Sequence, residues 1–255
     1  MKKNILITND DGIESNALPV LIRELKSLDV NIVVVVPDRE RSAVSQSITL
    51  TSPIRMKKIK RNIYTIDGTP TDCVYLTLLG ALDGFRPDLV ISGINKGPNM
   101  GEDIFYSGTV AAAREAAIGK INSFAISLNS FIGKFYFSTA AKFARYLTEK
   151  IFLKDLPEGI FLNVNIPNVE HNMIKGVKIT NLGSRRYFDK LIKRIDPAGN
   201  PYFWLSGNDV EWKQEKTSDY FAVKNNFISI TPLHMDLTAY NYINDLKKWK
   251  LKYEK

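Results

Sequence analysis

The chain has 255 residues, 44% of them hydrophobic and 24% charged, which is the composition of an ordinary globular protein with a sizeable core. Its formal net charge of +8 is compatible with anionic small substrates, with nucleic-acid binding, or with solubility alone. The single cysteine, Cys73, excludes an intrachain disulfide and leads us to expect a cytoplasmic location, and the sequence shows neither a secretion signal nor the apolar run of about 18 residues that spans a membrane.

Short apolar runs alternate with helical patterns up to about residue 130. They predict strands at residues 4–8, 31–36, 88–92 and 124–128, and helices at residues 15–28, 69–82 and 109–118. Most of the strand runs lack polar alternation, which is typical of strands buried on both faces of a parallel sheet. This order predicts an α/β fold with a three-layer, doubly wound, mostly parallel sheet of the Rossmann-like type, which binds ligands at the carboxyl ends of its strands.

Smaller elements are predicted between the second strand and the second helix. Residues 47–54 alternate between apolar and polar positions, and residues 63–66 form a short apolar run, so we expect two antiparallel pieces there. The basic run at residues 57–61 is most simply a solvated strand edge. The second helix has a clear start, because Thr69 can cap it and Asp72 can complete a capping box.

The second half of the chain has a different texture. It predicts a helix at residues 138–152, strands at residues 160–166, 176–181 and 226–231, and a final helix at residues 237–250. A turn cluster at residues 196–201 separates two runs that include Phe188 and Trp204, which predicts a projecting hairpin near residues 184–206. Such a hairpin usually needs a partner surface, so we expect oligomerisation.

We interpret residues 1–255 as a single domain. Its Rossmann-like core occupies residues 1–130, and the remaining core elements, the hairpin and a C-terminal segment near residues 237–255 follow. No internal repeat or low-complexity linker interrupts it.

The first predicted strand ends in Asn9-Asp10-Asp11-Gly12, which places two adjacent carboxylates in a tight turn. A turn initiated by Asn9 and released by Gly12 would bring both carboxylates over the end of the sheet. Two anions held that close are unfavourable unless a cation lies between them, and Mg²⁺ or Mn²⁺ prefers such oxygen ligands. The alternative is a plain Asx-type turn that joins the strand to the helix.

Three further segments are expected at the same edge of the sheet. Ser42 and Asn95 follow the second and third strands and are candidate metal ligands, although a surface serine and a glycine-rich turn are the simpler interpretations. Ser107, Gly108 and Thr109 precede an alanine-rich helix, whose N–H groups and partial positive charge suit a phosphate. Ordinary N-capping is the alternative for that segment.

Other catalytic signatures are missing from the sequence. It contains neither a dinucleotide fingerprint nor a P-loop. Its two histidines, His171 and His234, lie outside the loops described above, so no nucleophile–base pair can be nominated, and a structural role is the simpler interpretation of His234.

Six stretches, spread in order over nearly the whole chain, carry a family resemblance. They are residues 5–12, 37–42, 68–74, 92–99, 106–113 and 230–233. Together they resemble the SurE family of survival-protein nucleotidases. The resemblance implies a phosphomonoesterase that acts on nucleoside 5′- and 3′-monophosphates, and in some members on short polyphosphate.

The resemblance also implies a cofactor, a site and an assembly. The cofactor is one divalent metal ion per subunit, Mg²⁺ or Mn²⁺, and its ligands correspond to Asp10, Asp11, Ser42 and Asn95. The substrate and phosphate contacts correspond to Asn9, Asn99, Ser107, Gly108 and Thr109. The assembly is a homodimer or homotetramer built through the hairpin and an exchanged C-terminal segment.

One position departs from the family pattern. Ala43 stands where many relatives carry glycine after the serine. If that position has positive φ, alanine costs about 1–2 kcal/mol there. We therefore expect a small change in the geometry of this loop and no change in its role.

These assignments lead to a mechanism in which Asp10 and Asp11 are the catalytic residues. A metal-activated water, oriented by one of them, attacks phosphorus in line. A covalent aspartyl-phosphate on Asp10 is the rival, which the absence of an Asp-x-Asp spacing disfavours. A non-catalytic nucleotide-binding module is the alternative of a different class, whereas membrane binding and specific nucleic-acid binding are not expected.

Overall fold

The computed structural model describes residues 2–187, 190–206 and 210–253. The first half of the chain forms β1 (Lys3–Thr8), α1 (Ala17–Leu25), β2 (Val30–Pro37), β3 (Met56–Lys60), β4 (Ile63–Ile66), α2 (Pro70–Leu78), β5 (Leu89–Lys96), α3 (Gly108–Ile118) and β6 (Asn122–Asn129). The second half forms α4 (Phe137–Leu153), β7 (Ile160–Pro167), β8 (Val177–Ile179), β9 (Arg185–Tyr187), β10 (Lys190–Ile195), β11 (Pro201–Ser206), β12 (Val210–Trp212), α5 (Asp219–Lys224), β13 (Ile228–His234) and α6 (Tyr240–Lys247).

Nine of these strands form one sheet in the order β3-β4-β2-β1-β5-β6-β7-β13-β8. β1 pairs in parallel with β2 and β5, and the parallel pairing continues through β6 and β7. Two pairings are antiparallel, β3 with β4 and β13 with β7. The predicted, mostly parallel sheet is confirmed, and its topology brings the carboxyl ends of β1, β2, β5 and β6 to one edge.

Helices cover both faces of the sheet, so the fold has the three predicted layers. α1 and α4 pack together on one face, and α2 and α3 on the other. In β1, Ile5 and Ile7 join the core beneath α1 and α4, whereas Leu6 joins the core beneath α2 and α3. Because both faces of β1 are buried, its sequence shows no polar alternation.

The strand predicted at residues 47–54 is wrong. This segment lies outside the sheet, because side chains at the start of α2 take its polar groups. The Asp72 carboxylate accepts hydrogen bonds from the Thr49 N–H at 2.9 Å and the Thr49 hydroxyl at 2.7 Å, and Thr69 Oγ1 donates to the Ser47 carbonyl at 2.7 Å. The basic run forms the edge strand β3 instead, as expected, and β4 also pairs in parallel with β2.

The predicted start of α2 is confirmed. Thr69 Oγ1 accepts from the Asp72 N–H at 3.1 Å, and Asp72 Oδ2 accepts from the Thr69 N–H at 2.9 Å, which completes the capping box. The helix ends at Leu78, earlier than the predicted residue 82, because the chain turns at Gly80, whose φ is +95°. The same buried Asp72 carboxylate thus caps α2 and anchors the preceding segment.

The predicted hairpin is present. β10 and β11 pair antiparallel, and β9 pairs with β12 at the base. Phe188 lies outside the described residues, as do residues 254 and 255 of the C-terminal segment, and α6 contains no buried residue.

In the described part of the chain, no helix combines the length and the hydrophobicity needed to cross a membrane.

Candidate active site

The turn after β1 is closed by its own first residue. Asn9 is fully buried, its Nδ2 donates to the Gly12 carbonyl at 3.1 Å, and its Oδ1 accepts from the Gly12 N–H at 3.0 Å. Gly12 has φ +79°, a conformation that favours glycine. The Asn9 side chain, expected to contact substrate, is therefore engaged inside the turn that carries Asp10 and Asp11 past the end of β1.

The loop after β2 lies directly against this turn. The Arg41 N–H donates to the Asp10 carbonyl at 2.7 Å. A Cβ at Gly12 would lie 2.8 Å from the carbonyl carbon of Arg39, so the two backbones approach as closely as glycine allows. The predicted convergence of the first two loops at one sheet edge is thus a direct backbone contact.

We call residues 9–12 the aspartate turn. The two candidate ligands outside it are Ser42 and Asn95. The exposed Ser42 hydroxyl donates to Glu40 Oε1 at 2.7 Å. The β5 pairing register shifts between Gly93 and Asn95, and such a bulge re-aims the side chains that follow it. Asn95 Nδ2 donates to the Gly97 carbonyl at 2.9 Å, which leaves Oδ1 as the hard ligand atom of this side chain.

Asp11 lies among charged groups from both neighbouring loops. Burial raises the pKa of Asp11, the charge and backbone N–H of Lys96 oppose that rise, and the Glu40 carboxylate adds to it. Ser15 Oγ also donates to Asp11 Oδ2 at 3.3 Å. Sequence reasoning did not single out Glu40 or Lys96, and the available signal was their proximity in sequence to the two candidate ligands of these loops.

Asp10 is the most buried acid of the site, with 4% of its surface exposed. Thr109 Oγ1 donates to Asp10 Oδ1 at 2.5 Å. Burial raises the pKa of Asp10 to about 6, the neighbouring Asp11 charge adds to the rise, and the Thr109 hydrogen bond opposes it. Two adjacent carboxylates with raised pKa values, one buried and one half-buried, form an environment in which a bound cation is strongly favoured.

The N-terminus of α3 faces the same carboxylate. Ser107 is its N-cap, because Ser107 Oγ accepts from the Val110 N–H at 3.0 Å, so the capping interpretation holds for this side chain. Gly108 and Thr109 occupy the first turn, where N–H groups have no partner within the helix. A Cβ at Gly108 would lie 3.1 Å from Asp10 Cβ, so this turn packs directly on the acid.

Asn99 lies in the loop between β5 and α3, the loop that also contains Asn95 and Ser107. It is 6% exposed, and its Nδ2 donates to Ser127 Oγ at 2.8 Å. One hydrogen of the amide that we expected to contact phosphate is thus used within the protein.

Known proteins share this sequence and architecture over nearly the full chain. The family model described as survival protein SurE matches residues 5–189. The 5′-nucleotidase SurE of Aquifex aeolicus (strain VF5) is 45% identical over 245 residues, which cover 95% of this chain and 96% of that protein.

The chain belongs to the SurE family. The 5′-nucleotidase SurE of Geotalea daltonii is a second relative, 43% identical over 247 residues that cover 97% of this chain and 99% of that protein. The crystal structure of the SurE protein from Aquifex aeolicus aligns with a TM-score of 0.87 at 44% identity, over 97% of this chain and 99% of that one. The SurE resemblance seen in the sequence and the predicted fold are thereby confirmed.

The family departure at Ala43 does fall at a strained position, since its φ is +54°. Glycine at this position would relieve about 1–2 kcal/mol of left-handed strain in the folded state. It would also stabilise the unfolded state by roughly 0.4–1 kcal/mol, because its backbone is more flexible, so the relief of strain should be the larger effect. We expect Ala43→Gly to raise the free energy of unfolding by up to about 1 kcal/mol in urea denaturation. Ala198→Gly, in a hairpin turn without positive φ, is the control and should lower it. A loss of stability in Ala43→Gly would contradict the strain.

Proposed function

We propose that this chain is a metal-dependent phosphomonoesterase that hydrolyses nucleoside 5′- and 3′-monophosphates to nucleoside and phosphate, with short polyphosphate as a further substrate. The observation that carries the proposal is the buried Asp10 carboxylate, adjacent to the half-buried Asp11 and packed against the N-terminus of α3, which combines carboxylates with phosphate-binding N–H groups. The relatives named 5′-nucleotidase SurE support the monophosphate substrate.

The donor atoms fit a hard divalent cation. Asp10, Asp11, Ser42 and Asn95 offer carboxylate, hydroxyl and amide oxygens, the ligands that Mg²⁺ and Mn²⁺ prefer, and they would hold one ion per subunit. Such an ion would lower the raised pKa values of the two aspartates. When bound, the ion supplies Lewis-acid polarisation of the phosphate and lowers the pKa of a water molecule.

The residues of the chain position the reaction around this centre. Thr109 holds Asp10 through Oδ1, and one of the two aspartates accepts the proton of the attacking water and orients it in line with the ester bond. The water oxygen forms the new bond to phosphorus as the bond to the nucleoside oxygen breaks, and that oxygen takes up a proton to give the nucleoside hydroxyl. The N–H groups of Gly108 and Thr109 and the amide of Asn99 donate to the remaining phosphate oxygens.

The direct route and a covalent aspartyl-phosphate on Asp10 differ in the stereochemistry at phosphorus. A single in-line attack by water inverts the configuration of a substrate whose thiophosphate is chiral through oxygen isotopes, whereas two successive displacements through Asp10 retain it. Retention of configuration in the released thiophosphate would exclude the direct route.

A phosphate-release screen tests the function itself. Nucleoside 5′- and 3′-monophosphates and short polyphosphate are each incubated with the full chain and Mg²⁺, Mn²⁺ or other divalent ions, and chelated samples are the control. We expect phosphate release from the monophosphates only with metal. If no monophosphate releases phosphate with Mg²⁺ or Mn²⁺, the enzyme is excluded, and retained nucleotide binding would favour the non-catalytic binding module.

We also propose that the protein is cytoplasmic and forms a homodimer or homotetramer through the hairpin and the C-terminal segment. Leu191 and Leu205 pair across β10 and β11, with 64% and 85% of their surfaces exposed, and Trp204 is 61% exposed. In the C-terminal segment, Tyr240 and Trp249 are 66% and 62% exposed. Apolar surface of this extent on projecting elements is typical of an interface between copies.

Charges on the hairpin should therefore separate the copies. We expect the double variant Leu191→Lys/Leu205→Lys to lower the particle mass measured by light scattering, because burying two unpaired charges in an interface is strongly unfavourable. Ile132→Lys, at a site that is 83% exposed and outside the hairpin, is the control and should leave the mass unchanged. An unchanged mass in the double variant would place the interface elsewhere.

A further inference from the structure

Within the described ranges, the backbone N–H and carbonyl of Asn99 are hydrogen-bonded to buried side chains and not to other backbone groups. The Asn99 N–H donates to Asn165 Oδ1 at 2.8 Å, and the Asn99 carbonyl accepts from Asn165 Nδ2 at 2.9 Å. The same carbonyl accepts a second bond from Asn163 Nδ2 at 2.8 Å. Asn163, Asn165 and Ser127, which accepts from the Asn99 amide, are all fully buried.

The direction of these bonds is fixed by chemistry. A backbone carbonyl can only accept, so both asparagines must aim their NH₂ groups at Asn99. Asn163 and Asn165 are two residues apart on β7 and thus share one face of the strand. Together they grip a residue that lies 64 and 66 positions earlier in the chain.

Asn163 is a poor choice if stability alone is considered. Its Oδ1 is buried without a hydrogen-bond partner in the described structure, and an unsatisfied buried acceptor is destabilising. The Asn99 carbonyl that it binds already has a donor in Asn165. The fold would therefore lose little without Asn163, which indicates a role in the placement of Asn99.

A second tether holds the same loop two residues further on. The Gly101 N–H donates to Asp219 Oδ2 at 2.9 Å, and Asp219 is fully buried. The backbone between Asn95 and Ser107 is thus held by side chains of β7 and α5, and this loop joins a candidate metal ligand to the N-cap of α3.

We propose that Asn163 and Asn165 are positioning residues for the phosphomonoesterase reaction, which set the place of Asn99 against the transferred phosphate. The inference rests on the proposed function. In the described residues, the side-chain hydrogen bonds of Asn163 and Asn165 all go to the Asn99 backbone, so their effect on the reaction is expected to pass through Asn99.

Asn163→Leu separates positioning from stability, because leucine is close in shape to asparagine and removes the unpartnered oxygen together with the donor. We expect kcat to fall by about 10- to 100-fold, the range for loss of a supporting hydrogen bond. Inhibition by orthovanadate and inorganic phosphate should weaken. The metal concentration for half-activation should stay at the wild-type value, and the melting temperature should stay the same or rise.

Ser123→Ala is the matched control. Ser123 is also fully buried and donates to the Ala113 carbonyl at 2.6 Å, and its side chain has no hydrogen bond to the loop between β5 and α3 in the described residues. We expect it to lower the melting temperature with kcat unchanged. Ser127→Ala is a second test, since it frees the Asn99 amide from its internal partner and should weaken vanadate inhibition.

The outcomes distinguish the inference from the function beneath it. Wild-type protein that releases no phosphate would overturn both. Active wild type together with unchanged kcat and vanadate inhibition in folded Asn163→Leu and Ser127→Ala would overturn the inference alone. If the fall in kcat is fully explained by a smaller fraction of folded protein, these residues contribute to stability and not to positioning. That result would also overturn the inference.

Discussion

Replacement of Asp10 by asparagine should abolish metal-dependent phosphate release while the fold is kept. Asparagine retains the shape and can still accept the Thr109 hydrogen bond, but it removes one of the two carboxylates that would hold the cation. We expect kcat/KM to fall by more than about 100-fold, beyond the range for loss of a supporting partner. Burial raises the pKa of Asp10 to about 6, so a neutral side chain at this position does not penalise folding.

The control for this variant makes the same chemical change at the other edge of the sheet. Asp29 precedes β2, and its side chain is 79% exposed and pairs with Lys2. Asp29→Asn should leave kcat/KM unchanged. Nucleotide binding retained in Asp10→Asn, with catalysis lost, supports an enzyme, whereas full activity in Asp10→Asn would remove this carboxylate from the mechanism.

Gly12→Ala should destabilise both the fold and the candidate metal site. The new Cβ would lie 2.8 Å from backbone atoms of Arg39 at a residue with φ +79°. Left-handed strain and overpacking together should lower the free energy of unfolding by about 2–4 kcal/mol. Because the aspartate turn must then move away from the loop that carries Ser42, we also expect affinity for Mn²⁺ to fall.

Gly84→Ala separates the left-handed strain from the overpacking. Gly84 has φ +70°, but a Cβ there would meet nothing within 4 Å, so only the conformational penalty of about 1 kcal/mol remains. Denaturant unfolding of both variants, with metal titration by calorimetry, measures the difference. Equal losses of stability would show that the contact with Arg39 does not constrain the site.

The sequence was most informative where local rules decide the structure. Thr69 and Asp72 predict a helix start because a capping box needs only residues three apart, and the structure contains it. The apolar runs predicted the parallel strands because burial on both faces leaves no polar position. Asp10, Ser42 and Asn95 could be assigned to one edge because loops after parallel strands open together.

Predictions weakened where one segment competes with a distant one for hydrogen bonds. Residues 47–54 have strand alternation, yet Asp72 takes the polar groups of Thr49, and no periodicity reveals that competition. Asn9 stays a predicted substrate contact, but its sequence neighbours did not reveal that its amide closes the turn. Glu40 and Lys96 were recognised only in the structure, where both affect the pKa of Asp11 and Glu40 also accepts a hydrogen bond from Ser42.

The sequence by itself thus determined the layered fold and the loops that carry the candidate ligands, because strand burial, capping and turn formation are short-range effects. The family followed from the resemblance of six sequence stretches. Tertiary structure alone decided how those loops are held. In the sequence, Asn163 and Asn165 are only two polar residues in a buried strand. The structure places β7 beside β6 and shows that both side chains bind the Asn99 backbone. Their partner is 64 or more residues away, and only the packed sheet brings its N–H and carbonyl within hydrogen-bonding distance.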